Sequence, residues 1–551
     1  VRRYAGSEWA GVALAAGLAW LVAYPLALVA AGGLRDGDGW TLGWVRAFLA
    51  RPNEWGALWG SVWISLASVA LSALVGVPLA FLFTRLDFPG RRALAQLVAL
   101  PVVLPPLVGV VAFLFLWGET GFLAHVVRWV TRSSDPPWRL QGAGAILLVH
   151  AYSMYVYFYL FTRAALQGID ASVYEAAQSL GAGPWRTLRT VVLPLLRPAL
   201  ASAALLVFLT SLASFSAPYI FGGGFRVMAT QIVSTRLNGD DALAMVETIA
   251  LAAVALVALV AVRRLERAHV TGGAKGTPPR PARPASRGVR LGTAAFAWGL
   301  ALLLLLPHAT LLLVSLVPAG TWTTEALPPA YTLGNYATLV GDPVRARPLV
   351  TSLWMAAAAT AAAVALGLAA GALVVRRRVR AAGLVDWLVA LPWAVPGTVF
   401  ALALATAFSV DAPWRLRAVL VGTPLILPLA YLVRNLPIAG RALMAGWRQL
   451  DPSYEEAAAV LGAGRRRTLR RVLLPLLRPS LVAAATLAFV TAFGDFVTSI
   501  LLYTYDTRPI SLEILGSLRQ GDVGVAAAYG VVLMAVSAAV FLLAAEREEW
   551  R

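Results

Sequence analysis

"EAAQSLGAGPWRTLRTVVLPLLRP" (Glu175–Pro198) returns 281 residues later as "EAAAVLGAGRRRTLRRVLLPLLRP" (Glu456–Pro479). At that constant offset, 21 of the 31 positions from Asp170 to Leu200 are identical to those from Asp451 to Leu481. The repeat extends further. "LVALP" at 97–101 recurs at 388–392, Pro105 matches Pro396, and "NGD" at 238–240 meets "QGD" at 520–522. The chain is therefore two related halves in parallel, because each basic passage follows the fourth apolar run of its half.

Composition says where such a chain resides. Hydrophobic residues make up 59% and charged residues 13%, with a mean hydropathy of +0.74, far from the soluble globular range. Twelve apolar runs are long enough to cross a hydrocarbon core of about 30 Å. They lie near 10–31, 57–83, 93–117, 143–163, 199–220 and 242–262, then near 293–317, 350–375, 384–408, 416–438, 480–502 and 523–545. The expected fold is an all-α membrane protein with twelve transmembrane helices in two homologous six-helix halves, residues 1–262 and 291–551. The first run ends without a small-residue cleavage site and is expected to be a retained helix. Between the halves, residues 263–290 are rich in Gly, Pro and Arg and are expected to form a cytoplasmic tether.

The net charge of +19 could suggest nucleic acid, but its location argues for topology instead. Arg2, Arg3, the Arg85/Arg91/Arg92 loop, both repeated passages, the tether and Arg376 to Arg380 fall on one side. The opposite loops hold Asp36, Asp38, Glu119, Glu325 and Asp522. The basic side is expected to be cytoplasmic, with both termini there, and the partner surface is lipid, with no nucleic acid. Cysteine is absent, which excludes thiol chemistry and disulfides. The histidines His125, His150, His269 and His308 lack metal-ligand spacing. No phosphate-loop motif G-x-x-x-x-G-K-[ST] occurs, and no nucleophile motif points to an enzyme.

Each repeated passage has the chemistry of a solvent-facing docking element. Asp170 and Ser172 can cap a short helix with Glu175 near its positive end, and Ala176 and Ala177 give a small, flat face. Leu180 offers an apolar knob. Gly181 and Gly183 can end the helix through positive φ, and a second short helix from Thr187 to Leu196 carries Arg186 and Arg189 up to Pro194 and Pro198. The second copy places Asp451, Ser453, Glu456, Ala457, Ala458, Leu461, Gly462, Gly464, Arg467 and Arg470 likewise.

These passages, 170–198 and 451–479, resemble the EAA loops of permease subunits in bacterial binding-protein-dependent ABC importers. Glu175, Gly181 and Leu193-Pro194 fit that pattern, as do Glu456, Gly462 and Leu474-Pro475. The resemblance implies the type I ABC importer fold in a fused, two-half form like that of ferric-iron and thiamine importers. It implies a bacterial inner-membrane permease that binds no cofactor of its own. Two copies of a cytosolic ATP-binding subunit, holding ATP and Mg, would dock at Glu175, Ala176, Ala177, Leu180, Gly181 and Arg186 and at Glu456, Ala457, Ala458, Leu461, Gly462 and Arg467. An extracytoplasmic substrate-binding protein would deliver the cargo. Ferric iron is the favoured cargo, with thiamine, aminoalkylphosphonate or another small solute as alternatives. A facilitator-type secondary transporter is the rival class, suggested by "DFPGRR" at 87–92, where Phe83 and Phe88 depart from that family's pattern.

The candidate translocation-path residues are Ser214, Ser216, Asp495 and Thr498. Aligning "LASFSAPY" (212–219) with "GDFVTSIL" (494–501) sets Ser214 against Asp495. A carboxylate within a span costs about 2.5–3.5 kcal/mol on insertion scales, so Asp495 should face either a polar cavity or a helix partner. As a lone carboxylate it would favour a cationic cargo. Counted from Ser480, it lies about 22 Å along a continuous helix.

Overall fold

A backbone buried in lipid must satisfy its own hydrogen bonds, which a chain of this composition does by forming helices. The computed structural model describes residues 2–36, 39–103, 105–133, 135–267, 286–322, 325, 327–377, 379–393, 395–409 and 419–549. Nine helices among these are long and apolar enough to cross a membrane. They are α1 (Glu8–Gly32), α2 (Pro52–Arg85), α3 (Pro106–Thr131), α4 (Gly142–Gly168), α5 (Pro184–Leu212), α6 (Asp241–Val262), α7 (Arg287–Ser315), α8 (Pro343–Arg376) and α12 (Val523–Ala544). Two bent pairs supply α9 (Ala382–Trp393 with Gly397–Ala407, 112°) and α11 (Arg465–Leu476 with Arg478–Phe493, 70°). The more polar α10 (Ile426–Gln449) completes twelve.

Several boundaries depart from the hydropathy runs. The expected spans 199–220 and 480–502 stop early, at Leu212 and Phe493, so Ser214 and Asp495 lie in breaks after their helices and not along them. The helix of the fourth span of the second half begins at Ile426, after a turn at Gly422–Pro424, and the expected start near 416 lies outside the described residues. Apolar averages cannot see such turns. Most of the tether at 263–290, together with Asp38 and His269, lies outside the described residues.

The chain forms two compact units: residues 1–51, 232–252 and 333–551, and residues 52–231 and 253–332. The first span of each half thus joins the other half's spans. In one unit, Trp20 of α1 meets Phe408 edge-on at 5.1 Å, and Glu8 accepts the Arg380 backbone N–H at 3.1 Å. In the other, the Tyr152 hydroxyl on α4 donates to the Leu304 carbonyl of α7 at 2.7 Å.

Within each unit the second, fourth and fifth spans of one half form the packed centre: α2 with α4 and α5, and α8 with α10 and α11. Matched glycines let the long pairs close. A methyl on Gly76 would lie 2.3 Å from the Tyr155 carbonyl, and one on Gly367 would lie 3.1 Å from Gly440 Cα. Small residues at such contacts are what helix association in lipid selects. The aromatic cluster on α4 serves this core: the buried Tyr155 and Tyr159 hydroxyls donate to the carbonyls of Val98 and Ala95.

Candidate functional site

The two repeated passages fold alike. Asp170 Oδ1 accepts the Ser172 N–H at 2.8 Å to start a helix over Ala171–Ser179; Asp451 Oδ1 accepts the Ser453 N–H at 2.8 Å beside the helix Ser453–Val460. Each helix ends on a left-handed glycine, Gly181 at φ +73° and Gly462 at φ +76°. The amides of Ala182 and Ala463 then reach back to the carbonyls of Ala177 and Ala458 at 3.0 and 2.9 Å, a six-to-one helix stop that requires the glycine. Gly183 and Gly464 are not left-handed as expected. They are extended, at φ −66° and −70°, and start the next helical turn.

Exposure divides the expected docking residues. Glu175, Ala176, Arg186, Glu456, Ala457 and Arg467 are exposed, whereas Ala177 and Ala458 turn inward and are buried. The flat face is therefore one alanine wide in each copy. Leu180 and Leu461 are each 85% exposed, so the apolar knob projects outward in both copies. Beyond them the helices widen into π turns at Leu188–Val192 and Leu469–Leu473. Each lies just ahead of a proline (Pro194, Pro475) that lacks an N–H for the regular ladder. The first copy then runs into α5 as one helix, without the interruption expected at Pro194 and Pro198, while the second bends at Leu477.

Matched arginines hold the two loops by different chemistry. Arg85, at the end of α2, stacks its guanidinium 3.9 Å from the Tyr174 ring centroid. Arg376, at the end of α8, pairs with Glu455 at 3.3 Å and donates to the Leu450 carbonyl at 2.6 Å. Sequence reasoning assigned both arginines only to topology. Offsets of 291 for the arginines and 281 for Tyr174 and Glu455 would have flagged the correspondence.

The candidate path residues lie in two matched polar junctions. Ser214 Oγ shares a hydrogen bond with His150 Nε2 at 2.9 Å, and His150 Nδ1 lies 2.9 Å from Ser68 Oγ and 3.1 Å from Ser211 Oγ. Ser216 is buried at the start of the next short helix. In the other unit Asp495 Oδ2 accepts from Arg434 Nη1 at 2.6 Å, while Oδ1 accepts the Thr498 N–H at 2.9 Å and the Thr498 hydroxyl. Asp495 is thus not a lone carboxylate. Its charge is compensated by Arg434, which stands where the first half has Ser153, and that removes the inference from an unpaired charge to a cationic cargo. Asp495 contacts a helix partner, and its side chain is 2% exposed. Among the described residues, no group of three or more His, Asp or Glu side chains is placed to hold a metal ion.

The model of one protein family, described as the binding-protein-dependent transport system inner membrane component, matches residues 40–270 and 363–545. The chain belongs to this family. This transport component carries the family's domain twice, once per half, as a fused permease. It is 30% identical over 495 residues to a probable ABC transporter permease of Sinorhizobium fredii, covering 89% of this chain and 87% of that one. A ferric transport system permease of Actinobacillus pleuropneumoniae is 29% identical over 80% of this chain and 64% of its own length. A molybdenum transport system permease of Escherichia coli is 36% identical, but over 30% of this chain and 72% of its own length. The transport component is accordingly a multi-pass inner-membrane protein.

Proposed function

We propose that this permease conducts ferric iron inward, driven by two cytosolic ATPase subunits seated on the loops 170–198 and 451–479 and supplied by a soluble binding protein outside. The observation that carries the ATPase assignment is the duplicated loop geometry. Two helices, each begun beside an aspartate that accepts a backbone N–H and followed by a left-handed glycine, present the same exposed Glu, Ala and Leu in matched places. A lipid-lying amphipathic helix has no need of a repeated glycine stop. On this reading the loops face the cytosol, where the basic residues beside the spans concentrate, and both termini lie on that side.

Support for ferric iron comes from relatives. The ferric transport relative matches over 80% of this chain, whereas the molybdenum relative matches over 30%. The deciding experiment reconstitutes the chain with its ATPase subunits and binding protein in liposomes. ATP-dependent accumulation of labelled ferric ion, with no accumulation of molybdate or thiamine, is expected. Uptake of molybdate or thiamine in place of iron would overturn the cargo; ATP-independent uptake driven by an ion gradient would overturn the importer mechanism.

A further inference from the structure

A cleft of about 550 Å³ opens between the start of α8, the turn at Gly422 and Pro424, and the loop at 504–507. Val350, Thr351, Trp354, Met355 and Thr507 line it, and Arg347 and Asp506 form an exposed ion pair at its rim, 2.9 Å apart. The other half has the same backbone framework. Ser61 Oγ accepts the Met228 N–H at 2.7 Å, and Ser352 Oγ accepts the Ile510 N–H at 2.8 Å. These two bonds fix the correspondence at offsets of 291 for the spans and 282 for the loops.

At the matching place in the first half an aromatic ring is seated. Phe225 meets Trp63 edge-on, with ring centroids 5.6 Å apart and planes at 79°. Gly60 makes the close seat possible, because a methyl there would lie 2.3 Å from the Arg226 carbonyl. In the second half Thr351 replaces Gly60, Trp354 replaces Trp63 and Thr507 replaces Phe225. A Cβ now stands where the loop had come close, and the ring is gone. Trp354, 40% exposed, meets no other aromatic ring among the described residues.

We propose that this cleft receives an aromatic side chain of the soluble binding protein, edge-on to Trp354, in the manner of Phe225 on Trp63. The assignment of the partner rests on the importer reading. The loop at 451–479 is tied to the Arg376 end of α8, and Thr351 lies 25 residues away, about 38 Å along the helix. If ATPases occupy the loop end, the cleft opens on the opposite side of the membrane, the side from which a binding protein docks. The Arg347–Asp506 pair at the rim offers both charges to polar groups flanking the ring, the arrangement of a buried anchor with a polar surround.

The test uses the whole complex, the chain with its ATPase subunits in nanodiscs, and purified binding protein. Thr507→Phe restores the first half's ring and fills the cleft from within. It is expected to raise the binding-protein concentration for half-maximal ATPase stimulation by about 10-fold or more, in a complex that still assembles although the Thr504 N–H loses its bond to the Thr507 hydroxyl. Thr507→Ser is expected to respond as the parent does. Because the chain has no cysteine, Val350→Cys gives a single reporter at the rim, whose maleimide labelling should slow by about 5-fold or more when binding protein is added. If Thr507→Phe does not assemble, this labelling decides the matter. Unchanged labelling, or labelling that responds to lipid composition and not to binding protein, overturns the proposal. A wild-type complex that ignores the binding protein overturns the importer reading and the partner with it. A responsive wild type with an equally responsive Thr507→Phe overturns the cleft alone.

Discussion

Arg434 and Asp495, 61 residues apart, form a 2.6 Å ion pair that joins α10 to the break after α11. The equivalent positions in the first half are Ser153 and Ser214, so the two charges appear together in one half and are absent together from the other. Breaking one side of a buried pair costs about 3–5 kcal/mol. Arg434 is 30% exposed, and solvent screening reduces the expected loss for Arg434→Ser to about 2 kcal/mol. The double variant Arg434→Ser, Asp495→Ser installs the first half's residues and should recover most of that loss in thermal unfolding. Additive losses would show that the charges are not coupled.

Gly397 belongs to the same device. A methyl there would lie 2.8 Å from Arg434 Nη1, and the first half, with no arginine to accommodate, has Pro106. Gly397→Ala should therefore destabilise the wild-type chain by about 1–3 kcal/mol and cost much less in an Arg434→Ser background. Equal cost in both backgrounds would assign the effect to the α9 backbone alone.

The left-handed glycines of the loops are surrounded by open space, with nothing within 4 Å of a methyl at Gly181 or Gly462. A side chain there costs only backbone strain, about 1–2 kcal/mol per residue. Gly181→Val with Gly462→Val should leave insertion intact and lower copurification of the ATPase subunits and transport-coupled ATP hydrolysis. Full coupling in that double variant would remove the docking assignment.

Arg85 and Arg376 hold the loop helices from the ends of α2 and α8. Loss of a cation–π contact costs about 0.5–2 kcal/mol. Arg85→Met should speed amide exchange in Ala171–Ser179 and leave the second loop protected, and Arg376→Met should do the reverse. Exchange that rises in both loops with either variant would point to a global effect instead.

The Asp451 carboxyl is held below its ordinary value of 3.8 by the Ser453 backbone N–H it accepts. Because the folded value is depressed, the contribution of this cap is complete above the unfolded value and is lost as pH falls through the folded one. Protection of the Ser453 amide is thus expected to be flat above about pH 5 and to fall only in stronger acid. A change near neutrality would show another group in control.

What the sequence determined by itself is what depends on neighbours along the chain. The duplicated halves, the apolar spans, the aspartate caps two residues ahead of Ser172 and Ser453, and the glycine stops at Gly181 and Gly462 are local, because helix periodicity, capping and left-handed turns are decided within a few residues. Tertiary structure decided the pairings. It brought Arg434 to Asp495 and His150 to Ser214, turned Ala177 and Ala458 inward, exchanged the first spans between the units, and left a cleft beside Trp354 where Phe225 fills its counterpart. Each of these depends on which surfaces meet through space. Hydropathy averaged along a span records that a residue lies near the membrane interior, but the helix breaks after Leu212 and Phe493 and the partners of buried polar groups are set by packing between segments distant in the chain.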